Sequence, residues 1–265
     1  MYFCSLLHLE KQKQVDRYFY LLLQNSMLHK TRGLVINTIN YNDKYILAHI
    51  FTENFGKVTY MVAKTKSRSS KVPKSFFTPL ALLDMEVDHQ LSREIQRIRE
   101  VGWLLQTYSI SSDMKKTCMV FFISEFLSRV LKEVNESKLL FDFLYQSVQI
   151  LEMTDKSVAN FHLAFMLKLS RFLGFYPNLE EYSKGQYFDM MNGEFVYMQP
   201  FKHYVNQQES FALARLGRIS YENMHKFEFS RQERINIINR MLEYYRLHLS
   251  DFPQLKSLDI LHELF

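Results

Sequence analysis

The chain has 265 residues, 47% hydrophobic and 15% aromatic, a composition that supports a sizeable core and excludes an intrinsically disordered tail. Two cysteines, Cys4 and Cys118, are too few for a disulfide framework or a four-thiolate zinc site, and no apolar run approaches the roughly 20 residues needed to cross a bilayer. The formal net charge of +5 is unevenly placed: residues 27–101 hold 12 basic and 7 acidic side chains, whereas residues 102–265 hold 18 and 19.

The first ten residues, MYFCSLLHLE, lack the cationic start and small-residue cleavage site of a secretory signal. Glu10, Lys11, Lys13, Asp16 and Arg17 then interrupt any apolar core, so residues 1–26 are expected to form an upstream extension with little order, ahead of a natural start at Met27. The reducing cytoplasm is the expected compartment.

From Thr31 the sequence reads as short strands. Residues 31–40, 44–52 and 57–64 are rich in β-branched and aromatic side chains and are separated by turn signals at Asn42-Asp43 and Asn54-Phe55-Gly56. In residues 83–88, Leu83, Met85 and Val87 alternate with Asp84, Glu86 and Asp88, predicting one buried and one wet face. Residues 94–101 supply a fifth strand. Five strands within about 75 residues suggest a small Greek-key barrel of the oligonucleotide-binding (OB) kind.

From Ser111 the period turns helical. Asp113 is placed to cap a segment carrying Cys118, Phe121, Phe122, Phe126, Val130 and Leu131 at near i, i+3, i+4 spacing. Residues 139–151 and 161–173 repeat the pattern, the latter stopping at Gly174 with Pro177 soon after. Asn192-Gly193 signals a two-residue hairpin within residues 187–198, and helices resume over 207–219, 231–249 and 257–265. The expected architecture is α+β: an OB-fold barrel over residues 27–103, then a mostly α-helical domain with a small β-hairpin over residues 104–265.

The most informative chemistry is charge of one sign. Between Phe55 and Leu83 stand Lys57, Lys64, Lys66, Arg68, Lys71 and Lys74 without one Asp or Glu. Such a run repels itself unless a polyanion lies nearby, and a Ser-, Thr- and Pro-containing loop between strands lets its cations reach successive phosphates. Lys64, Lys66, Arg68, Lys71 and Lys74, with Arg32 and Lys57 at strand ends, are the expected DNA contacts. Phe76 and Phe77, beside the loop, are candidates for stacking on bases. Arg129 with Lys132, and Lys168 with Arg171, lie at helical spacing near Phe residues and are candidates for an acidic peptide.

Enzyme signatures are missing: the chain has no phosphate loop, no G-x-G-x-x-G, no G-x-S-x-G and no H-E-x-x-H. Neither catalysis nor a cofactor is expected. A nuclease using Asp84, Glu86 or Asp88 with magnesium is a rival, as is a protein-interaction scaffold whose basic module docks an acidic partner.

The stretch from Lys30 to Arg99 resembles the N-terminal part of the bacterial RecO recombination-mediator family. The resemblance rests on Thr31-Arg32-Gly33-Leu34-Val35, Ile50-Phe51-Thr52 with Phe55-Gly56-Lys57, the basic loop ending at Ser75, and Pro79-Leu80. Residues 141–144 (FDFL), 173–179 (LGFYPNL) and 256–261 (KSLDIL) resemble the family's helical domain. Met27 falls where family members usually begin. The resemblance implies ATP-independent binding of single- and double-stranded DNA and annealing of complementary strands in the cytoplasm. It also implies partnership with RecR and with the acidic C-terminal tail of single-stranded-DNA-binding protein, and hence indirect assistance to RecA loading. Some members carry a four-cysteine zinc site after the Pro-Asn-Leu segment; here that region has no cysteine, so no zinc is expected, and packing of Tyr187, Phe188, Phe195 and Tyr197 is expected to hold the hairpin.

Overall fold

The computed structural model describes residues 27–64, 70–132, 136–155 and 158–264. The expectation for residues 1–26 therefore lies outside the described residues. Five strands form the first half: β1 (Met27–Asn40), β2 (Tyr45–Thr52), β3 (Gly56–Ala63), β4 (Leu82–His89) and β5 (Ile95–Leu105). Local chemistry sets the turns between the first three. The Asn42 side-chain oxygen accepts from the backbone N–H groups of Lys44 and Tyr45, both at 2.9 Å. Gly56 supplies the positive φ (62°) that ends the next turn, where the Thr52 hydroxyl donates to the Gly56 carbonyl at 2.9 Å.

The strands close into a barrel in the order β1-β2-β3-β5-β4, with β4 returning to β1. β3 and β5 pair in parallel through Thr59↔Ile95, Tyr60↔Gln96 and Met61↔Arg97, and the other pairings are antiparallel. This is the five-stranded OB-like barrel. Its interior holds Val35, Ile50, Tyr60, Leu83, Met85 and Val87. Gly33 is required by close approach: a Cβ there would lie 2.4 Å from Met85 Cε and 2.7 Å from Ile50 Cγ2.

Alternate residues of the same strands face the other way, yet they are not wet. Leu34, Ile36, Phe51 and Leu82 belong to a second, larger core shared with the helices. β1 is thus buried on both faces at Leu34, Val35 and Ile36, which explains an unbroken apolar run in a barrel strand. The Ser124 hydroxyl donates to the Ile36 carbonyl across this joint.

The second half contains α1 (Tyr108–Ser112), α2 (Met114–Val130), α3 (Lys138–Met153), α4 (Phe161–Phe172), α5 (Gln207–Gly217), α6 (Arg231–His248) and α7 (Ser257–Leu264). Asp113 caps α2 by accepting from Lys115 N at 2.7 Å, and Ser230 with Glu233 forms a capping box on α6. Burial nearly all round marks α4 as the centre of this domain. Among the described residues no helix is long and apolar enough to cross a membrane.

The small sheet departs from expectation. β6 (Tyr187–Asp189) and β7 (Glu194–Val196) are joined by four residues, not two, because Asp189 pairs with Glu194. The Asp189 carboxylate accepts from Met191 N at 2.8 Å and Asn192 N at 3.3 Å, which favours the longer turn, and Gly193 closes it at φ 70°. A third strand, β8 (Tyr204–Val205), pairs with β6 and has no counterpart in the sequence reading. Phe188 meets Phe195 edge-on at 5.1 Å and Tyr182 meets Phe195 at 5.0 Å, while Tyr187 packs on Tyr204 at 5.7 Å. Tyr197, expected to help hold the hairpin, is 70% exposed.

Candidate nucleic-acid interface

The acid-free run lies on β3 and the connection from β3 to β4. Lys66 and Arg68 lie outside the described residues. Lys64, at the start of the connection, donates through Nζ to the Asn42 carbonyl at 2.7 Å, and its backbone N–H donates to the Lys44 carbonyl at 2.8 Å. This places Lys64 beside the β1–β2 turn, where Lys44 is exposed. Lys71 is exposed and pairs with Glu100 of β5 at 2.9 Å. Its carbonyl accepts from Val101 N at 3.1 Å, which pins the connection against β5. Lys74 is exposed and opens a single 3-10 turn, Lys74–Phe76.

The two phenylalanines of that turn have different fates. Phe77 is 4% exposed and sits in the barrel core, so it has no ring face to offer a base. Burying a benzyl group in the nearest apolar cavity outweighs leaving it on the surface by about 2 kcal/mol. Phe76 is half-buried and stacks on Trp103 of β5, centroids 4.4 Å apart and planes 19° from parallel. Trp103 did not figure among the sequence candidates; it is the single tryptophan of the chain, set in the most basic module, and that was the signal available.

Arg32, expected to contact phosphate, has its guanidinium engaged by the protein's own carboxylates. Nε and Nη2 donate to the two oxygens of Glu53, each at 2.8 Å, and Nη2 also donates to Asp142 of α3 at 3.0 Å. The guanidinium lies 5.0 Å from the Phe141 ring centre and 5.6 Å from that of Tyr145. The bidentate bond to Glu53 is the chief reason the arginine proton is held more tightly than usual, and the same bond holds the Glu53 carboxyl below its ordinary range. Arg32 ties the barrel to the helical domain.

Lys57 is half-buried, and that burial lowers its ammonium below the ordinary lysine range. Repulsion from Lys132 and Arg129, at the end of α2, adds to the effect. Lys132 also meets Asp251 at 2.7 Å, and Arg129 lies 4.0 Å from Glu125. In α4, Lys168 covers the Tyr221 ring at 4.3 Å and Arg171 covers Tyr176 at 4.3 Å.

The three acidic residues of β4 do not share one wet face. Asp84 is exposed and Glu86 half-buried, but the Asp88 side chain is 3% exposed, enclosed by Arg99 at 3.1 Å and Arg93 at 3.6 Å. Register explains the rest: Glu86 stands opposite Lys30 on one side and Glu100 on the other. Among the described residues, no three His, Cys, Asp or Glu side chains converge in a way that could hold a metal ion.

The family description "Recombination protein O N terminal" matches residues 27–106, and "Recombination protein O C terminal" matches residues 111–259. A DNA repair protein RecO of Azobacteroides pseudotrichonymphae is 48% identical over 240 residues, spanning 90% of this chain and all of that relative. The DNA repair protein RecO of Bacteroides fragilis is 42% identical over 241 residues, and that of Porphyromonas gingivalis 33% over 244, each again covering 90% of this chain and the whole relative. With an OB-like barrel, a helical second domain and matches of this extent, the chain belongs to the RecO family of DNA repair and recombination proteins.

Proposed function

We propose that this protein binds single- and double-stranded DNA, anneals complementary strands and acts as a recombination mediator by binding, without bond chemistry. The observation that carries the reading is the connection from β3 to β4: an acid-free run whose described cations Lys71 and Lys74 are exposed on the rim of an OB-like barrel. Cations there neutralise phosphates and release counterions, and holding two strands in one positive field lowers their mutual repulsion while bases pair. The interface comprises Lys64, Lys66, Arg68, Lys71 and Lys74, extended by Lys57 of β3. Arg32 has no part in it, since Glu53 and Asp142 already satisfy its charge.

Family membership supports the wider role. In the cytoplasm the protein acts with RecR, contacts the acidic tail of single-stranded-DNA-binding protein and so helps RecA load on covered strands. An acidic tail could meet Arg129 with Lys132, where it would compete with Asp251, or Lys168 with Arg171, which lie over the Tyr221 and Tyr176 rings.

The test is a salt series of binding to single-stranded and duplex oligonucleotides, joined to an annealing assay with complementary strands. The expected result is a linear fall of log affinity with log salt and annealing faster than the spontaneous rate. Salt-independent or absent binding would overturn the reading. In that event, capture of an acidic protein by the basic connection, insensitive to competing oligonucleotide, would favour a scaffold.

A further inference from the structure

We infer that Trp103 and Phe76 form a base-stacking platform that makes this protein favour unpaired strands over duplex. The inference rests on the nucleic-acid reading above and assigns it a strand preference.

The platform is a built feature of the barrel rim. Trp103 opposes Leu83 across the β4–β5 ladder, on the side of the sheet that carries Leu83, Met85 and Val101, yet unlike those three it is not enclosed in the barrel core. The indole remains 37% exposed. Phe76 covers it in a near-parallel stack. The turn that presents Phe76 is fixed from both ends. Phe77, next in sequence, is rooted in the barrel core, and Val72 packs against the same core. The Lys71 carbonyl binds β5 at Val101 N.

The surroundings point to one occupant, a nucleobase on a phosphate strand. Lys74 stands exposed two residues before Phe76, and Lys71 makes an exposed ion pair with Glu100, which a phosphate can replace at little cost. A lone apolar patch would fit many partners; a ring stack flanked by exposed lysines fits alternating bases and phosphates. Bases in a duplex already have both faces stacked, and taking one out costs a few kcal/mol, so the platform engages unpaired strands.

Because the chain holds one tryptophan, the site reports on itself. The experiment titrates the full chain, at low salt, with oligothymidylate, with an abasic strand of equal length and with duplex, following both tryptophan fluorescence and affinity. Oligothymidylate is expected to quench Trp103 and to bind more tightly than the abasic strand. Trp103→Leu is expected to lose about 5- to 100-fold in affinity for oligothymidylate, the range set by stacking on one base, while retaining its affinity for the abasic strand. Phe76→Leu keeps the fluorophore and is expected to weaken the quenching, which guards against misreading an unfolded Trp103 variant. Equal quenching and affinity for oligothymidylate and abasic strand would overturn the platform while leaving nucleic-acid binding intact. Failure of all three ligands to bind would overturn both.

Discussion

In the helical domain, Arg215 meets Glu233 at 3.1 Å, and Arg240 is held between Glu209 and Glu243, each at 2.9 Å. On the barrel rim, Lys74 is exposed, Lys64 finds a backbone carbonyl, and Lys71 meets one carboxylate across an exposed pair. The named arginines of the helical domain are thus held in partly buried ion pairs, whereas the lysines of the connection are exposed or, in the case of Lys71, paired only at an exposed site. A cation held in a partly buried ion pair, as Arg215 and Arg240 are, gains little from a phosphate, whereas an exposed lysine, including Lys71 in its exposed pair with Glu100, still gains counterion release. Arg32 belongs with the first group although it lies on a barrel strand. Position in the barrel is therefore not what makes a cation available; the carboxylates around it are.

The largest effect that would test this contrast is neutralisation of the connection. Replacing Lys64, Lys66, Arg68, Lys71 and Lys74 by Gln should flatten the plot of log affinity against log salt by about 0.7 per lost contact on single strands, up to about 3.5 in total. Replacing Arg215 and Arg240 by Gln should leave that slope unchanged. Equal slopes for the two variants would break the comparison.

Arg32→Ala sharpens it from the other side. Removing the guanidinium leaves Glu53, whose side chain is 16% exposed, without its main partner, and should cost about 2 kcal/mol in chemical denaturation with little change in salt slope. The effect also has a pH signature. The hydrogen bond from Arg32 lowers the Glu53 carboxyl in the folded protein, so this stabilisation is complete above the carboxyl's ordinary value of 4.5 and is lost as pH falls through the lower folded value. The Arg32→Ala variant should lack that part of the acid limb.

A separate acid effect belongs to His162 of the central helix. Full burial pushes its imidazole down to about 3, with Arg234 and His262 adding repulsion. The unfolded chain therefore takes up a proton that the folded one refuses. Stability should be unaffected above about 6.5 and should erode as pH falls from there towards 3, and His162→Met should flatten that part of a stability-against-pH curve. The smallest expected effect is Glu100→Gln. It frees Lys71 on an exposed surface, so oligonucleotide affinity should rise slightly at low salt, the gain should vanish at high salt, and stability should not move.

Much of the barrel was legible because its signals are local. Alternation in residues 83–88 located β4, Asn42 and Gly56 located turns, and Asp113 marked the start of α2. The misreadings came where a distant partner decided the outcome. Asp88 looks like the third member of a wet face, yet Arg93 of the β4–β5 turn and Arg99 of β5 enclose it. Phe77 looks like a loop aromatic beside cations, but the connection folds back and inserts it into the barrel. β8 is two residues long and exists only because β6 offers it an edge.

By itself the sequence determined the strand and helix periods, the caps and the sign of charge along each segment, because these depend on residues within a turn or two of one another. Tertiary structure alone decided which cations are matched. Arg32 is matched by Asp142, 110 positions away in the chain, Lys132 by Asp251, and Phe76 is laid on Trp103. Electrostatic and stacking energies depend on distance in space, and only the closed barrel seated on its helices sets those distances.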